Sequence, residues 1–276
     1  MARLLSKRYR LYGLVRNTLR CKGLRQAGII PVAGDLDNAH SLRRLAGLAP
    51  IVLHFAPPSG NGSSDTRTRN LLAALSRGTR PRRLVYISTT GVYGDCGGAM
   101  VEETRPLNPQ TLRAKLRADA EQQIRNWARR NRVNASILRV PGIYAADRLP
   151  LDRLRAGTPA ILHEEDSYTG LIHADDLARI VEAALHHAKP NRIYHASDDS
   201  NLKMGEYFDC VADTFELPRP SRLARAEVQR MVSPMMWSFL CESRQTANRR
   251  MKRELKVALR YPTVKDAMCA QVFLKP

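Results

Sequence analysis

At 276 residues and 43% hydrophobic, the chain can bury one large core, or a core with a smaller lobe, while no apolar run approaches the roughly 18 residues of a spanning helix, so no membrane segment is expected. The formal charge of +19 is mostly arginine, only nine of the 45 basic residues being lysine, and it is spread along the chain without an aromatic-interleaved platform or a zinc finger; that argues for solvated faces over a nucleic-acid groove. The five cysteines (Cys21, Cys96, Cys210, Cys241, Cys269) are odd in number, scattered and without a Cys-x-x-Cys pair, which points to reduced thiols in a cytoplasmic setting and away from a disulfide framework or a metal site.

In chain order, residues 2–7 read as the last turns of an amphipathic helix, with no secretory apolar stretch or cleavage site. Tyr9 to Arg16 reads as a strand, 18–27 as a short helix, Gly28 to Asp35 as a second strand and 37–47 as a short helical stretch. Pro50 to Ala56 is a wholly apolar strand, and Asp65 to Arg77 carries Leu71, Leu72 and Leu75 at helical spacing. A strand over 83–90 follows, then a long Arg- and Ala-rich helix over about 111–131. Val133 to Tyr144 is a strand running into a Pro-Gly turn, and 149–172 is irregular, with a short helix at Leu151–Arg155 and an apolar patch at Ala160–Leu162. Ala174 to His187 sets Leu177, Ile180, Val181 and Leu185 on one helical face. Arg192 to Ser197 is a last strand and Gly205 to Phe215 a helix; from Pro218 the chain is basic and helical. Strands alternating with helices imply right-handed βαβ units and a parallel sheet.

The most informative stretch is RRLVYISTTGVYG at 82–94, an apolar run that stops at Ser88, Thr89 and Thr90. Ligands of open α/β sheets bind beyond the carboxyl ends of the strands, so these hydroxyls stand where a binding group belongs; Ser and Thr also cap turns, and the stretch alone does not separate the two roles.

Four segments together resemble the extended short-chain dehydrogenase/reductases, the NAD-dependent epimerase/dehydratase group: ISTTGVYGD at 87–95, LRVPGIYAADR at 138–148, LIHADDLARIVEAAL at 171–185 and VAGDLDN at 32–38. The resemblance covers most of residues 8–216 and, with HFAPP at 54–58, is nearest to atypical members of that group. It implies a Rossmann-like doubly wound α/β fold, with an NAD(P)-binding core over 1–148 that is incomplete at its N-terminus. A smaller, mostly helical substrate lobe would occupy 149–276, with 171–198 returning to the core.

By the same resemblance, Thr89 holds the position of the hydroxyl that polarises the substrate oxygen, four residues before Tyr93. The family's Tyr-x-x-x-Lys pair is replaced: counting back from Glu121 puts Arg113 and Arg117 in those places, and the helix has no tyrosine. Arginine stays protonated and cannot shuttle a proton at neutral pH, although Arg117 can hold a ribose or phosphate. A literal Tyr261-x-x-x-Lys265 follows no hydroxyl-bearing strand. On the cofactor side, the resemblance implies contacts from Arg16, Asp35, Leu36, Phe55, Ala56, Pro57, Ser88 and Arg117; an arginine at position 16 suits the 2′-phosphate of NADP better than NAD. Thr90, Tyr93, Pro141, Gly142 and Tyr144 would border the substrate. His173, Asp175 and Asp176 read as a helix N-terminal cap rather than as metal ligands.

Dinucleotide folds open with a strand and a Gly-rich turn that seats the pyrophosphate at a helix N-terminus. Here the early Gly13 and Gly23 are too isolated to serve, and the chain starts inside the helix that would follow such a turn. We therefore expect a missing central strand, seen either as a gap in mid-sheet or as direct closure of its neighbours. Three functions follow: an NAD(P)-dependent oxidoreductase of epimerase/dehydratase type with a small-molecule substrate such as a nucleotide sugar, a non-catalytic dinucleotide-binding protein acting as a sensor or a structural subunit, and a basic polyanion-binding protein; a homo-oligomer is compatible with each.

Overall fold

A computed structural model describes residues 1–270. The chain runs α1 (Ala2–Leu5), β1 (Leu11–Val15), α2 (Cys21–Gln26), β2 (Ile29–Ala33), β3 (Ile51–His54), α3 (Thr66–Leu75), β4 (Arg83–Thr89), β5 (Met100–Val101), α4 (Leu112–Asn131) and β6 (Asn134–Val140). It continues through β7 (Gly142–Tyr144), α5 (Leu151–Arg155), β8 (Ala160–Ile161), β9 (Tyr168–Thr169), β10 (Leu171–His173), α6 (Ala174–His187), β11 (Arg192–His195), β12 (Leu202–Lys203) and α7 (Met204–Thr214). The last elements are β13 (Arg222–Leu223), α8 (Arg225–Met231), α9 (Pro234–Leu240), β14 (Gln245–Thr246), α10 (Arg249–Leu255) and α11 (Val264–Cys269). This is an α/β, Rossmann-like fold built on parallel strands, as the alternation of strands and helices predicts.

The chain divides into two compact units: residues 1–88, 112–138 and 178–193 form one, and residues 89–111, 139–177 and 194–270 belong to the other. In the first unit, Leu71, Leu72 and Leu75 of α3 and Ile124 and Trp127 of α4 pack on Leu84 and Tyr86 of β4 and Ile137 of β6. Each such fully buried side chain stabilises the fold by about 1.5–3 kcal/mol relative to exposure. The second unit has its own core, in which Tyr207, Phe208 and Val211 of α7 meet Val264 and Met268 of α11 and Leu171 of β10.

The sheet is interrupted. Strands β11, β6, β4 and β3 lie side by side in that order, with β3 parallel to β4, whereas β1 pairs only with β2, also in parallel. Among the described residues no strand joins β1 to β3, so of the two outcomes expected for this place the gap is the one observed. It is open on both faces. A cavity of about 350 Å³ reaches Tyr12, Leu14, Val52 and His54 on the α3 side, and another of about 460 Å³ reaches Leu5, Tyr12, Leu53 and Leu185. Burial follows the interruption: Leu11 to Leu14 and Ile51 to Leu53 are half-buried, while Leu84 to Tyr86 and Ala135 to Val140 are buried.

Three elements differ from the sequence reading, each for a local reason. The run Val133–Tyr144 is two strands, because Pro141 has no N–H to continue the ladder; β7 leaves the sheet and pairs with β10. The stretch 37–47 is a 3-10 helix over Ala39–Leu45, with the Asn38 side chain capping His40 N–H. The basic C-terminal part holds two short strands among its helices, β13 against β8 and β14 against β5.

Candidate active site

In the first unit the residues at the carboxyl ends of β1, β3 and β4 are held by a few arginines. Arg16 follows β1, is exposed and has no hydrogen-bond partner among the described residues. Asp35 caps its own turn, its Oδ1 accepting from Asp37 N–H at 3.0 Å, and Leu36 turns toward the core around α3 and α4. Asp37 is gripped by both arms of Arg67, at 2.8 and 2.7 Å, and that bonding, with help from Arg16, holds its carboxyl below the usual range. Arg67 Nη1 also donates to the Pro57 and Pro58 carbonyls, so one guanidinium fixes both the loop after β2 and the loop after β3. Sequence reading missed Arg67, since nothing marks an arginine in the first turn of α3 as reaching two loops.

Arg117, on α4, donates from Nη1 to the Ile87 carbonyl (2.7 Å), to the Tyr86 hydroxyl (3.0 Å) and, at 3.5 Å, to the Ala56 carbonyl. It braces the ends of β3 and β4, and its other donors have no hydrogen-bond partner among the described residues. Tyr86 is not an acid for this site: burial raises its phenol to about 12 against the pull of Arg117, and the ring is fully buried. Ser88, expected among the cofactor contacts, is engaged inside the protein. It is 3% exposed and its hydroxyl donates to Glu121 at 2.5 Å, so its side chain ties β4 to α4. Phe55, Ala56 and Pro57 remain at least partly exposed along the chain after β3.

In the second unit the end of β4 reads differently. Thr89 is half-buried, and its Oγ1 caps the following 3-10 turn by accepting from Gly91 N–H at 3.2 Å, which leaves its proton uncommitted. Thr90 and Tyr93, both expected beside the substrate, are 4% and 1% exposed. The Tyr93 hydroxyl meets His195 Nε2 at 2.6 Å and Arg139 Nη1 at 2.5 Å. His195 Nδ1 faces the Ala247 carbonyl at 2.9 Å, which can only accept, and desolvation lowers this imidazole to about 3. Nε2 is therefore bare, and Tyr93 donates to it. Tyr144 is likewise buried, its hydroxyl donating to Asp198 at 3.2 Å. Burial raises that carboxyl to about 7. Pro141 and Gly142 follow β6, the neighbour of β4 in the sheet, and stay partly or fully exposed.

Three further expectations meet the structure here. Asp175 N–H donates to His173 Nδ1, and the Asp176 carboxylate accepts from the N–H groups of Arg260 and Tyr261, so these side chains serve the backbone. Tyr261 is buried and lies ahead of α11, off the helical turn that would bring it beside Lys265. A Gly91-x-x-Gly94-x-x-Gly97 run does occur after β4, but it leads into a 3-10 turn and β5 and opens no α-helix. This glycine run therefore does not have the form of a pyrophosphate seat at a helix N-terminus.

One arginine of the second unit was not legible at all. Ser243 N–H donates to Asp95, the Ser243 carbonyl accepts from Cys96 and Gly98, and β14 pairs with β5, so residues 243–246 are fastened along 95–101. Burial works to raise Asp95, but the N–H groups of Ser243, Gly97 and Cys96 outweigh it and hold the carboxyl below its usual range. Arg244 is carried with this segment. Its Nη1 donates to the Gly94 carbonyl (2.9 Å) and to Glu242 (2.7 Å).

Comparison with known proteins places this geometry. A profile of the NAD dependent epimerase/dehydratase family matches residues 1–197. Protein YeeZ of Escherichia coli (strain K12) is 30% identical over 138 residues, covering 50% of this chain and 48% of that protein; the chain spans about half the length of the curated relatives it matches. A functionally unknown conserved protein from Silicibacter pomeroyi DSS superposes with a TM-score of 0.81 at 28% identity, covering 99% of this chain and 93% of that one. The dTDP-glucose 4,6-dehydratase DesIV of Streptomyces venezuelae, solved with NAD bound, has the same fold, with a TM-score of 0.75 at 19% identity over 95% of this chain and 86% of that one.

Proposed function

The chain belongs to the NAD dependent epimerase/dehydratase family, and from that footing we propose that it is an NAD(P)-dependent oxidoreductase of epimerase/dehydratase type acting on a nucleoside-diphosphate sugar. The observation that carries the reading is the Thr89 hydroxyl. Of the hydroxyls around the end of β4, Ser88 and Tyr93 have given away their protons and Thr90 is buried, whereas Thr89 is half-buried with a proton to donate. Thr89 orients the substrate oxygen. Arg16 takes the ribose 2′-phosphate, which favours NADP over NAD, and the spare donors of Arg117 hold the ribose or a phosphate oxygen. The bound nicotinamide supplies hydride transfer.

Titration with NADPH and NADH, followed by nicotinamide fluorescence, tests the cofactor reading; sub-millimolar binding with NADPH tighter is expected, and no binding of either overturns it. Turnover of UDP- and dTDP-sugars in the presence of cofactor tests the enzyme. A second reading, a dinucleotide-binding protein without turnover, is favoured by Arg113 and Arg117 standing where an acid/base pair is needed, since neither releases a proton at neutral pH. Cofactor binding without turnover of any such sugar would select it.

A further inference from the structure

Along the sequence the arginines are spread, but the fold gathers six of them at one edge of the first unit. That edge is the amino-terminal one, where α3 and α4 end and β4 and β6 begin, opposite the β4 end that Arg117 braces. Arg77 lies just past α3, Arg80 and Arg82 are in the connection to β4, Arg129 and Arg130 occupy the last turn of α4, and Arg132 joins α4 to β6. Three ties bring these stretches together. Strands β4 and β6 are neighbours in the sheet, Asn134 N–H donates to the Arg82 carbonyl at 3.1 Å, and Trp127 Nε1 on α4 donates to Ser76 Oγ at the end of α3 at 2.8 Å. All six arginines are exposed, and among the described residues their side chains bond only to Asn126, from Arg129 and Arg130. No acid lies between Asp65 and Asp95 or between Glu121 and Asp147 to neutralise them locally. The dipole of α4 favours cations in its last turn, which accounts for Arg129 and Arg130 but not for Arg80, Arg82 or Arg132. Arg132 moreover takes φ 55°, a left-handed backbone that a side chain of this size adopts at a cost.

We propose that this edge is a docking surface for double-stranded nucleic acid, held through its phosphates without reading of the bases. Charge complementarity sets the sign of the partner, and the make-up of the patch selects among anionic ones. Every one of the six cations is arginine, whose planar fork meets a phosphate with two parallel hydrogen bonds. Trp127 is buried, and none of the large exposed hydrophobic side chains lies within residues 76–83 or 125–134. The edge therefore has no ring for unpaired bases to stack on and no wedge to enter a bilayer. A duplex presents a stiff, closely spaced row of phosphates, so it meets these arginines without the ordering cost that a flexible strand or an acidic peptide bears on binding. The surface is separate from the proposed cofactor contacts and does not depend on them.

The test is fluorescence anisotropy of a labelled DNA duplex of about 20 base pairs, long enough to span the patch. It is titrated with the wild-type chain and with a triple variant carrying Arg77→Gln, Arg80→Gln and Arg82→Gln. A second triple variant, Arg155→Gln, Arg230→Gln and Arg253→Gln, removes the same charge from exposed positions of the second unit. Six phosphate contacts give log K a slope of about −5 against log salt, so wild-type affinity should fall about a thousandfold between about 50 and 200 mM salt. The first variant should bind at least about tenfold more weakly at low salt, with the slope reduced to about −3. The second should bind as the wild type does, and both should keep the wild-type melting temperature. Equal loss in the two variants means that net charge alone attracts the duplex, and it overturns the surface. So does the absence of wild-type binding at low salt. Equal or tighter binding of the single strand, of poly-L-glutamate of matched charge or of phosphatidylserine vesicles overturns the duplex as the partner.

Discussion

Tyr93 donates its proton to His195 Nε2 across 2.6 Å, and both side chains are closed to solvent. The direction follows from the other ring nitrogen, whose proton is given to the Ala247 carbonyl. A tyrosine that the sequence places beside the substrate is thus spent on holding the second unit together. Tyr93→Phe would leave His195 Nε2 and an arm of Arg139 without this partner in a buried place, costing about 1–3 kcal/mol in urea unfolding. Affinity for a dinucleotide should be unchanged.

Asp198 and His195 make stability depend on pH with opposite signs. The Asp198 carboxyl is raised by burial from 3.8 to about 7, so its contribution is complete below pH 4 and is lost as pH rises through 7. His195 is lowered from 6.5 to about 3, so its contribution is present above pH 6.5 and lost as pH falls through 3; His54, buried and lowered to about 4, acts in the same sense. Asp198→Asn removes only the first slope. Relative to the wild type, the variant should gain on the order of 2–4 kcal/mol between pH 4.5 and 7.5, read by urea unfolding at intervals across that range.

Arg16 is exposed, makes no hydrogen bond among the described residues and acts on Asp37 only through its charge, so replacing it should change the melting temperature little. Arg16→Glu should weaken NADPH by about 10- to 100-fold, the worth of one charge-assisted contact, with little change for NADH. Equal loss for both cofactors in fluorescence titration would remove Arg16 from the 2′ position.

Arg117 is a brace as well as a candidate contact. Arg117→Lys keeps the charge but replaces a planar fork with a single ammonium, which cannot reach the Ile87 and Ala56 carbonyls and the Tyr86 hydroxyl together. A loss of about 1–3 kcal/mol is expected, with faster amide hydrogen exchange along β3 and the end of β4.

The β1–β2 pair should open more readily than the rest of the first unit. Leu11 to Leu14 are half-buried, and β1 has a hydrogen-bonded neighbour on one side only. Native-state hydrogen exchange should give β1 and β2 opening free energies well below those of β4 and β6, which are buried and paired on both sides.

Much of the fold is readable from residue patterns. Leu84 to Ile87 is a continuous apolar run and Ile137 to Val140 is apolar but for the buried Arg139; both form inner strands, and the leucines of α3 and the apolar face of α6 lie where their spacing puts them. The proposed site is readable only where a function would depend on one position in a local motif, as proposed for Thr89. Which hydroxyls are spent inside the protein depends on partners far along the chain, Glu121 for Ser88 and His195 for Tyr93, and no local pattern reports that. Arg244 lies 153 positions beyond Gly91, and only the fastening of 243–246 along 95–101 brings it there.

A sheet divided between β1 and β3 has four open margins, on β2, β1, β3 and β11, where one continuous sheet of the same strands would have two. Each margin presents main-chain donors and acceptors that any extended polypeptide can match, whatever its side chains. Repulsion among molecules carrying a formal +19 keeps such margins apart in dilute buffer. Added salt screens that repulsion and leaves the main-chain groups as adhesive as before, so high ionic strength is the condition under which this protein will self-associate, and low ionic strength the one in which to store it.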